Sequence, residues 1–418
     1  MGNRRRPARF YFDGVCVGEP INRAVGERPN KGAFSGEMTE AETEPITVKT
    51  RLGQLVRRLP ADDWLMIGWV FAIKFLLFVF GAKAVLVLAN KRLPNNIEWL
   101  RIWSYWDTQH YLDVAKNGYG KAVHLMAYPL YPWLVRAVTW LTHDYYFSAL
   151  VVSTAALIFA AILLRRLASL DFSGEIAERA VWFFLIFPTA YFLHIGYTES
   201  LFLCLAFGAF LAVRKEKWWL GGALGALATM TRANGLALVP AFIVEAIQQW
   251  RAVRSWRWHW LWIAAVPLGF CVYLLVNQHV TGHAFGFVDM RREIFRTSPD
   301  WPWVGLREAY RNLRRKPSDA EMVGGQELFF ALLGLVCAVV SWFKLRPSYA
   351  TWITVTWLGF VCVTFVQSAP RYTLALFPIF ILFGLAAQNR IWNAVITIWS
   401  LLFLGLFASL SARGWWAF

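Results

Sequence analysis

Charge is scarce in this chain. Of its 418 residues only 16% are charged while 58% are hydrophobic, and the mean hydropathy is +0.43, which excludes a soluble domain of this size and implies a polytopic membrane protein. Acidic residues are the scarcer sign, 26 against 42 Lys and Arg, for a net charge of +16. Many of those basic residues flank apolar runs, a pattern of membrane orientation and anionic headgroups, so membrane lipids rather than nucleic acid are the implied partners. Cysteine is rare: Cys204, Cys271, Cys337 and Cys362 lie inside apolar runs and Cys16 in a polar segment, so neither a disulfide framework nor a thiolate metal site follows. Strict alternation is missing from the apolar runs, which favours spanning helices over barrel strands. There is no G-x-x-x-x-G-K-[ST] loop, soluble nucleotide-binding unit or D-x-D motif to support a nucleotide-sugar or ATP-driven mechanism. His110 lies one turn from Asp107, and His279 and His283 are four apart; these spacings supply no metal-ligand set, and no cofactor is assigned.

What is present reads as an all-α transmembrane bundle over residues 61–418 behind a polar tail at 1–60. The tail starts with Arg4, Arg5 and Arg6, buries too little apolar surface to order itself and has no early apolar core, so a mobile cytoplasmic segment is expected rather than a cleavable signal peptide. The first span of this cell-membrane protein runs from Trp64 to Asn90, with Arg51, Arg57 and Arg58 placing its start on the cytoplasmic side. An outer loop at 91–146 holds apolar pieces near 99–115 and 127–142, both too short to span, and both are laid along the surface as interfacial helices. Further spans are expected near 147–165, 181–197, 198–213, 218–231, 235–248, 260–279, 327–343, 349–366, 372–388 and 391–409, making about eleven in all and leaving the C-terminus outside. Basic residues such as Arg165, Arg166, Arg214, Arg257 and Arg346 then fall inside. The loop at 280–326 falls outside although strongly basic, against the usual charge bias.

This topology brings Asp107, Glu199, Arg232 and Arg371 to one face, and three of them sit in very short turns where a charge is costly without a partner or a role. Asp107, in W-D-T-Q-H-Y-L, is either an N-cap of the short helix that follows or a general base that takes a proton from an attacking hydroxyl. Glu199 either complements a helix dipole or holds a sugar hydroxyl. Arg232 and Arg371 either snorkel to the interface or bind phosphate through their planar forks, with Asn234-Gly235 and Pro370 marking irregular backbone whose N–H groups add to an anion site. Asp113, farther along the same helix, is expected to be solvated.

The motifs W-D-T-Q-H-Y-L-D-V-A-K-N-G-Y, Y-P-L-Y-P, F-P-T-A-Y-F-L-H-I-G-Y-T-E-S-L-F, T-R-A-N-G and S-A-P-R-Y-T-L-A-L-F-P-I-F, in that order across roughly residues 64–390, resemble the bacterial relatives of the phosphatidylinositol-glycan class V mannosyltransferases, membrane glycosyltransferases of the GT-C superfamily. The resemblance implies a GT-C fold, an acid in the first outer loop at Asp107, a second at Glu199, and a polyprenyl-phosphate sugar donor whose phosphate meets Arg232 and Arg371. It further implies inversion at the anomeric carbon.

The combined expectation is a multi-pass mannosyltransferase working at the outer face. Asp107 is its base; Arg232 and Arg371 hold the donor phosphate, Asn234 and Tyr372 are substrate-binding, and Glu199, His110 and Tyr111 line the sugar or acceptor site. The acceptor, a lipid or a peptide, is left open. Two rivals belong to other classes. A flippase would spread polar residues through the bilayer midplane and show repeat symmetry, and a non-catalytic assembly partner would tolerate loss of Asp107.

Overall fold

Long apolar stretches set the architecture. The computed structural model describes residues 60–89, 93, 96–315 and 324–418. The tail expected over 1–60 lies outside the described residues except for Pro60, as do residues 316–323 of the basic loop.

Helix α1 (Ala61–Leu88) leads into a 3₁₀ stretch, Asn96–Trp103, and then to α2 (Asp107–Asn117) and α3 (Leu130–Thr142) with a 3₁₀ turn, Ala122–Met126, between them. Then come α4 (Tyr145–Ala168), α5 (Gly174–Ile186), the single turn α6 (Tyr191–His194), α7 (Glu199–Arg214), α8 (Trp218–Thr229), α9 (Leu238–Val253) and α10 (Leu268–Thr281). The basic loop folds as α11 (Gly286–Ile294) and α12 (Pro302–Arg315). The last part holds α13 (Gln326–Lys344), α14 (Pro347–Val361), the short α15 (Ala369–Tyr372), α16 (Pro378–Ala386) and α17 (Arg390–Ala412). Among the described residues the only β pairing outside helices is an isolated antiparallel bridge, Pro299 with Val363, which ties the basic loop to the end of α14.

Each apolar segment expected to span contains a helix, but the count of eleven spans is not established on length. Among the described residues six stretches are long and apolar enough to cross a membrane: α1, α4, Ala233–Val253, Trp258–Thr281, α13 and α17. Ala369–Ala375 with Pro378–Ala386, bent by 85°, makes a seventh if the pair is one span. The other four, α5, α7, α8 and α14, have 13, 16, 12 and 15 residues, or roughly 18 to 24 Å at the helical rise. Pro188 accounts for one of them: it forces Phe187 into an extended conformation (ψ 147°), and α5 stops.

These short helices form the centre. Helix α7 is buried on nearly every side, from Glu199 to Val213 with Cys204 the one exception, and packs against α4 and α8. Gly221 permits the α7–α8 approach, since a Cβ there would come within 2.4 Å of Val213 Cγ1. Phe184, Phe207, Phe377 and Phe380 interlock edge to face around the middle of the bundle, each such pair contributing about 0.5–1.5 kcal/mol beyond its buried area. The longer helices ring this centre and leave Phe75, Leu76, Phe343 and Leu402 exposed, as a lipid-facing surface requires.

Polar side chains gather in two layers at opposite ends of the helices. One layer joins the basic turns: Arg165 to Asp62 and Glu178, Arg166 to Asp63, Arg214 to Asp171, Arg257 to Glu216 and Arg346 to Glu245. The other joins Asp107, Glu199, Arg232 and Arg371. Residues assigned to the same side by alternation therefore meet in space.

Candidate active site

The site is built on a segment with only one helical turn, α6. Between Pro188 and Glu199 the chain is buried throughout, so its free carbonyls need donors. Side chains supply them: Ser200 Oγ donates to Leu193 O (2.7 Å), Lys74 Nζ to His194 O (2.5 Å), Thr108 Oγ1 to Gly196 O (3.4 Å) and Ser153 Oγ to Tyr197 O (3.0 Å). The turn thereby delivers Tyr197, Thr198 and Glu199 at the head of the central helix.

Glu199 Oε1 accepts from Arg232 Nη1 and from Arg371 Nε, the latter at 2.5 Å. Arg371 continues outward, with Nη1 donating to Asp107 Oδ2 and Nη2 to the Tyr111 hydroxyl (3.3 Å). Its guanidinium lies 4.7 Å from the Tyr197 ring centre and 4.9 Å from that of Phe192. Arg232 also donates to Thr198 Oγ1 (3.1 Å) and lies over the Tyr372 ring at 5.5 Å. The resulting chain, Arg232–Glu199–Arg371–Asp107, is buried in its middle and opens at both ends: side-chain exposure runs 14%, 4%, 8% and 25%.

Asp107 opens onto a cavity of about 590 Å³. His110, Tyr111, Arg232, Asn234, Arg371 and Tyr372 also line it. Glu199 does not. It is buried, with Oε1 accepting from both arginines and Oε2 unpartnered among the described residues. Burial in the first place, and then the neighbouring Asp107 carboxylate, pushes the Tyr111 hydroxyl up to about 12, so it stays a neutral phenol.

The capping reading of Asp107 is overturned. It is the first residue of α2, the cap position is Trp106, and no side-chain capping bond forms there; the carboxylate is turned to Arg371 instead. Trp106 adopts φ +58°, a costly conformation for a bulky residue, and Ser368, ahead of the α15 turn that carries Arg371, adopts φ +61°. Both outliers sit at the entry to a charged site residue. Asp113 also departs from expectation: it is not simply solvated but accepts from Asn117 (2.5 Å) and pairs with His124 Nε2 (3.0 Å), and the Asn117 bond chiefly holds its carboxyl below the ordinary range.

Three contributors were not legible in the sequence. Lys74 lies inside an apolar run with nothing to mark its partner. Glu327 in α13 accepts from Ser368 N (2.8 Å) and Ala369 N (2.6 Å), capping α15 across 41 residues of sequence. Arg291 in α11 lines the cavity, but its loop offered no motif.

Residues 85–255 match the family described as Mannosyltransferase (PIG-V), a region that contains Asp107, His110, Tyr111, Glu199, Arg232 and Asn234 but not Arg371 or Tyr372. Over 156 residues the chain is 34% identical to GPI alpha-1,6-mannosyltransferase 2 of Cricetulus griseus, covering 34% of this chain and 31% of that protein. It is 30% identical to the Homo sapiens protein of the same name over 147 residues, covering 32% and 30%, and 29% identical to GPI mannosyltransferase 2 of Schizosaccharomyces pombe over 180 residues, covering 41% and 39%. The chain thus spans about a third of the length of the curated relatives it matches. Among solved structures, the Archaeoglobus fulgidus oligosaccharyltransferase in its apo form aligns over 84% of this chain and 56% of its own, with 10% identity and a TM-score of 0.42.

Proposed function

We propose that the chain, whose residues 85–255 match the mannosyltransferase (PIG-V) family, is a membrane mannosyltransferase that takes mannose from a polyprenyl-phosphate donor. The observation that carries the reading is Asp107: a carboxylate at a cavity wall, held by a buried arginine that is itself fixed by Glu199. A base must face the acceptor in one orientation, and this chain of contacts provides that orientation before substrate arrives.

In the proposed step an acceptor hydroxyl attacks the anomeric carbon of mannose. The new oxygen–carbon bond forms as the bond to the phosphate oxygen breaks, with inversion, and the hydroxyl proton passes to Asp107. Polyprenyl phosphate leaves with the bonding electron pair and meets arginine. Tyr111, neutral at working pH, serves as a hydrogen-bonding group on the same wall, beside His110. The relatives' names contain GPI, and a hydroxyl of a lipid-linked glycan is the acceptor we assign here. The bundle is of the GT-C type in this reading, with the cavity at its outer face and the basic-turn layer at the cytoplasmic face.

The test is transfer of radiolabelled mannose from polyprenyl-phosphate mannose by the purified protein in a lipid extract, beside Asp107→Asn. Loss of a general base lowers the rate roughly 10²–10⁴-fold, with donor binding kept. Near-normal turnover in the variant would remove Asp107 from the mechanism, and absence of donor binding by the native protein would remove the donor.

A further inference from the structure

The two arginines that sequence reading assigned to phosphate are already engaged. Arg371 uses Nε, Nη1 and Nη2 on Glu199, Asp107 and Tyr111, and Arg232 gives Nη1 to Glu199 and Thr198. With Asp107 and Glu199 counted as carboxylates, the four charges cancel, so this cluster alone offers an anion little net attraction.

Arg291 changes that balance. It lies on α11 of the basic loop and lines the same cavity, and its guanidinium makes no ion pair or hydrogen bond among the described residues. The backbone around it is fixed: its carbonyl accepts from Phe295 N (3.1 Å) and Thr297 N (3.3 Å), and the adjacent Met290 is buried. Of the acids on its helix, Asp289 is paired with His283 (3.0 Å), and Glu293 is two residues along, off the Arg291 face.

Beside it, Tyr128 and Tyr273 stack at 3.9 Å on the cavity wall, and Tyr273 is anchored by donating to Leu125 O (2.6 Å). Burial raises the Tyr128 hydroxyl's pKa, while the positive charges of both Arg291 and Arg232 act on it in the opposite direction. Two cations thus share the surroundings of one tyrosine hydroxyl, one of them carrying charge that no side chain neutralises.

We infer that Arg291, together with the free nitrogens of Arg232, forms the subsite for the lipid phosphate, and that Arg371 is a positioning residue for Asp107. The inference rests on the cavity being the donor site. It gives the basic loop a task, which is to bring an uncompensated guanidinium to the point where the leaving group gains negative charge. Such a group acts more strongly on the transition state than on the bound donor.

The experiment uses the full chain in nanodiscs of zwitterionic lipid and reads tryptophan fluorescence on titration with polyprenyl phosphate and, separately, with the uncharged polyprenol. Native protein is expected to prefer the phosphate. Arg291→Gln should weaken phosphate binding at least tenfold and lower kcat/KM for the mannosyl donor by roughly 10²-fold, with Arg291→Lys recovering part of both. Arg292→Gln, a neighbouring change away from the cavity lining, should alter neither. Equal binding of phosphate and alcohol by the native protein would remove the donor-site reading itself. A native preference that survives Arg291→Gln would overturn the assignment of Arg291 alone. Competition by a tenfold excess of phosphatidylglycerol would mean that the subsite takes bulk anionic headgroups, which also overturns it.

Discussion

Two buried glutamates, each the hub of two arginines, sit at opposite ends of this bundle, and they are finished to different degrees. Glu245 has both oxygens engaged: Arg346 donates to Oε2 and Oε1 at 2.8 Å each, Ser348 Oγ donates to Oε2 at 2.8 Å and Gln249 Nε2 to Oε1 at 3.2 Å. Arg214, 3.8 Å away, is in turn gripped by Asp171 and Tyr349. At the other end Glu199 loads one oxygen twice and leaves the other bare, and its arginine runs on to an aspartate that faces a cavity between two backbone outliers. A closed network of this kind locks α9 to α14; the open one leaves a bare carboxylate oxygen and two strained residues beside a cavity.

The widest separation between the two ends is expected from removing their arginines. Arg346→Ala leaves Glu245 buried with its main partner gone and should cost about 3–5 kcal/mol of unfolding stability, while each folded molecule transfers mannose at the native rate. Arg371→Ala should cost less stability, since Arg232 remains on the same Glu199 oxygen, yet abolish transfer. Thermal unfolding in detergent combined with turnover per folded molecule separates the two, and equal loss of turnover in both would erase the distinction drawn here.

Next in size is Glu327. Its replacement by Ala frees two buried N–H groups ahead of Arg371, a loss of about 1–3 kcal/mol that should appear as a tenfold to hundredfold fall in kcat with donor KM little changed. Glu327→Gln keeps an acceptor oxygen and should restore part of the rate. If Gln and Ala behave alike, the cap is not what holds the turn.

A smaller change follows from Tyr111→Phe, which removes one long hydrogen bond to Arg371 and should slow transfer only a few-fold, about 0.5–1.5 kcal/mol. Since the hydroxyl is raised to about 12, the phenol is protonated throughout the working range, and the pH–rate profile of the variant should follow that of the native protein below pH about 10. An alkaline limb lost with the hydroxyl would make Tyr111 a titrating catalyst instead.

The smallest effect belongs to Asp113. Its side chain is 35% exposed, so the pair with His124 is solvent-screened, and Asp113→Ala should cost no more than about 1 kcal/mol. The carboxyl is held below its unfolded value, so its contribution is present above the ordinary carboxylate pKa and is lost as pH falls through the lowered one. Native and variant melting temperatures should converge in acid, and a gap that widens there would reverse the assignment.

Periodicity and composition carried the reading far where the information is local. Apolar run length gave the helical segments, and basic turns between them gave an alternation that put Asp107, Glu199, Arg232 and Arg371 on one face, where they are found joined. Seven of the eight candidate site residues line one cavity. The misreadings are all matters of direction. Whether Asp107 caps its own helix or reaches Arg371 depends on a partner 264 residues away, and no local pattern encodes that distance.

The sequence by itself determined that this is a membrane bundle with two polar ends and an acid and arginines at one of them, because solvation of an apolar run and of a charge is decided residue by residue. Only the tertiary structure decided that Glu199 is buried with both arginines on one oxygen, that Glu327 and Lys74 hold the turns, and that Arg291 reaches the cavity. Those outcomes depend on which donor meets which acceptor after the helices pack, and packing brings together groups that the chain keeps far apart.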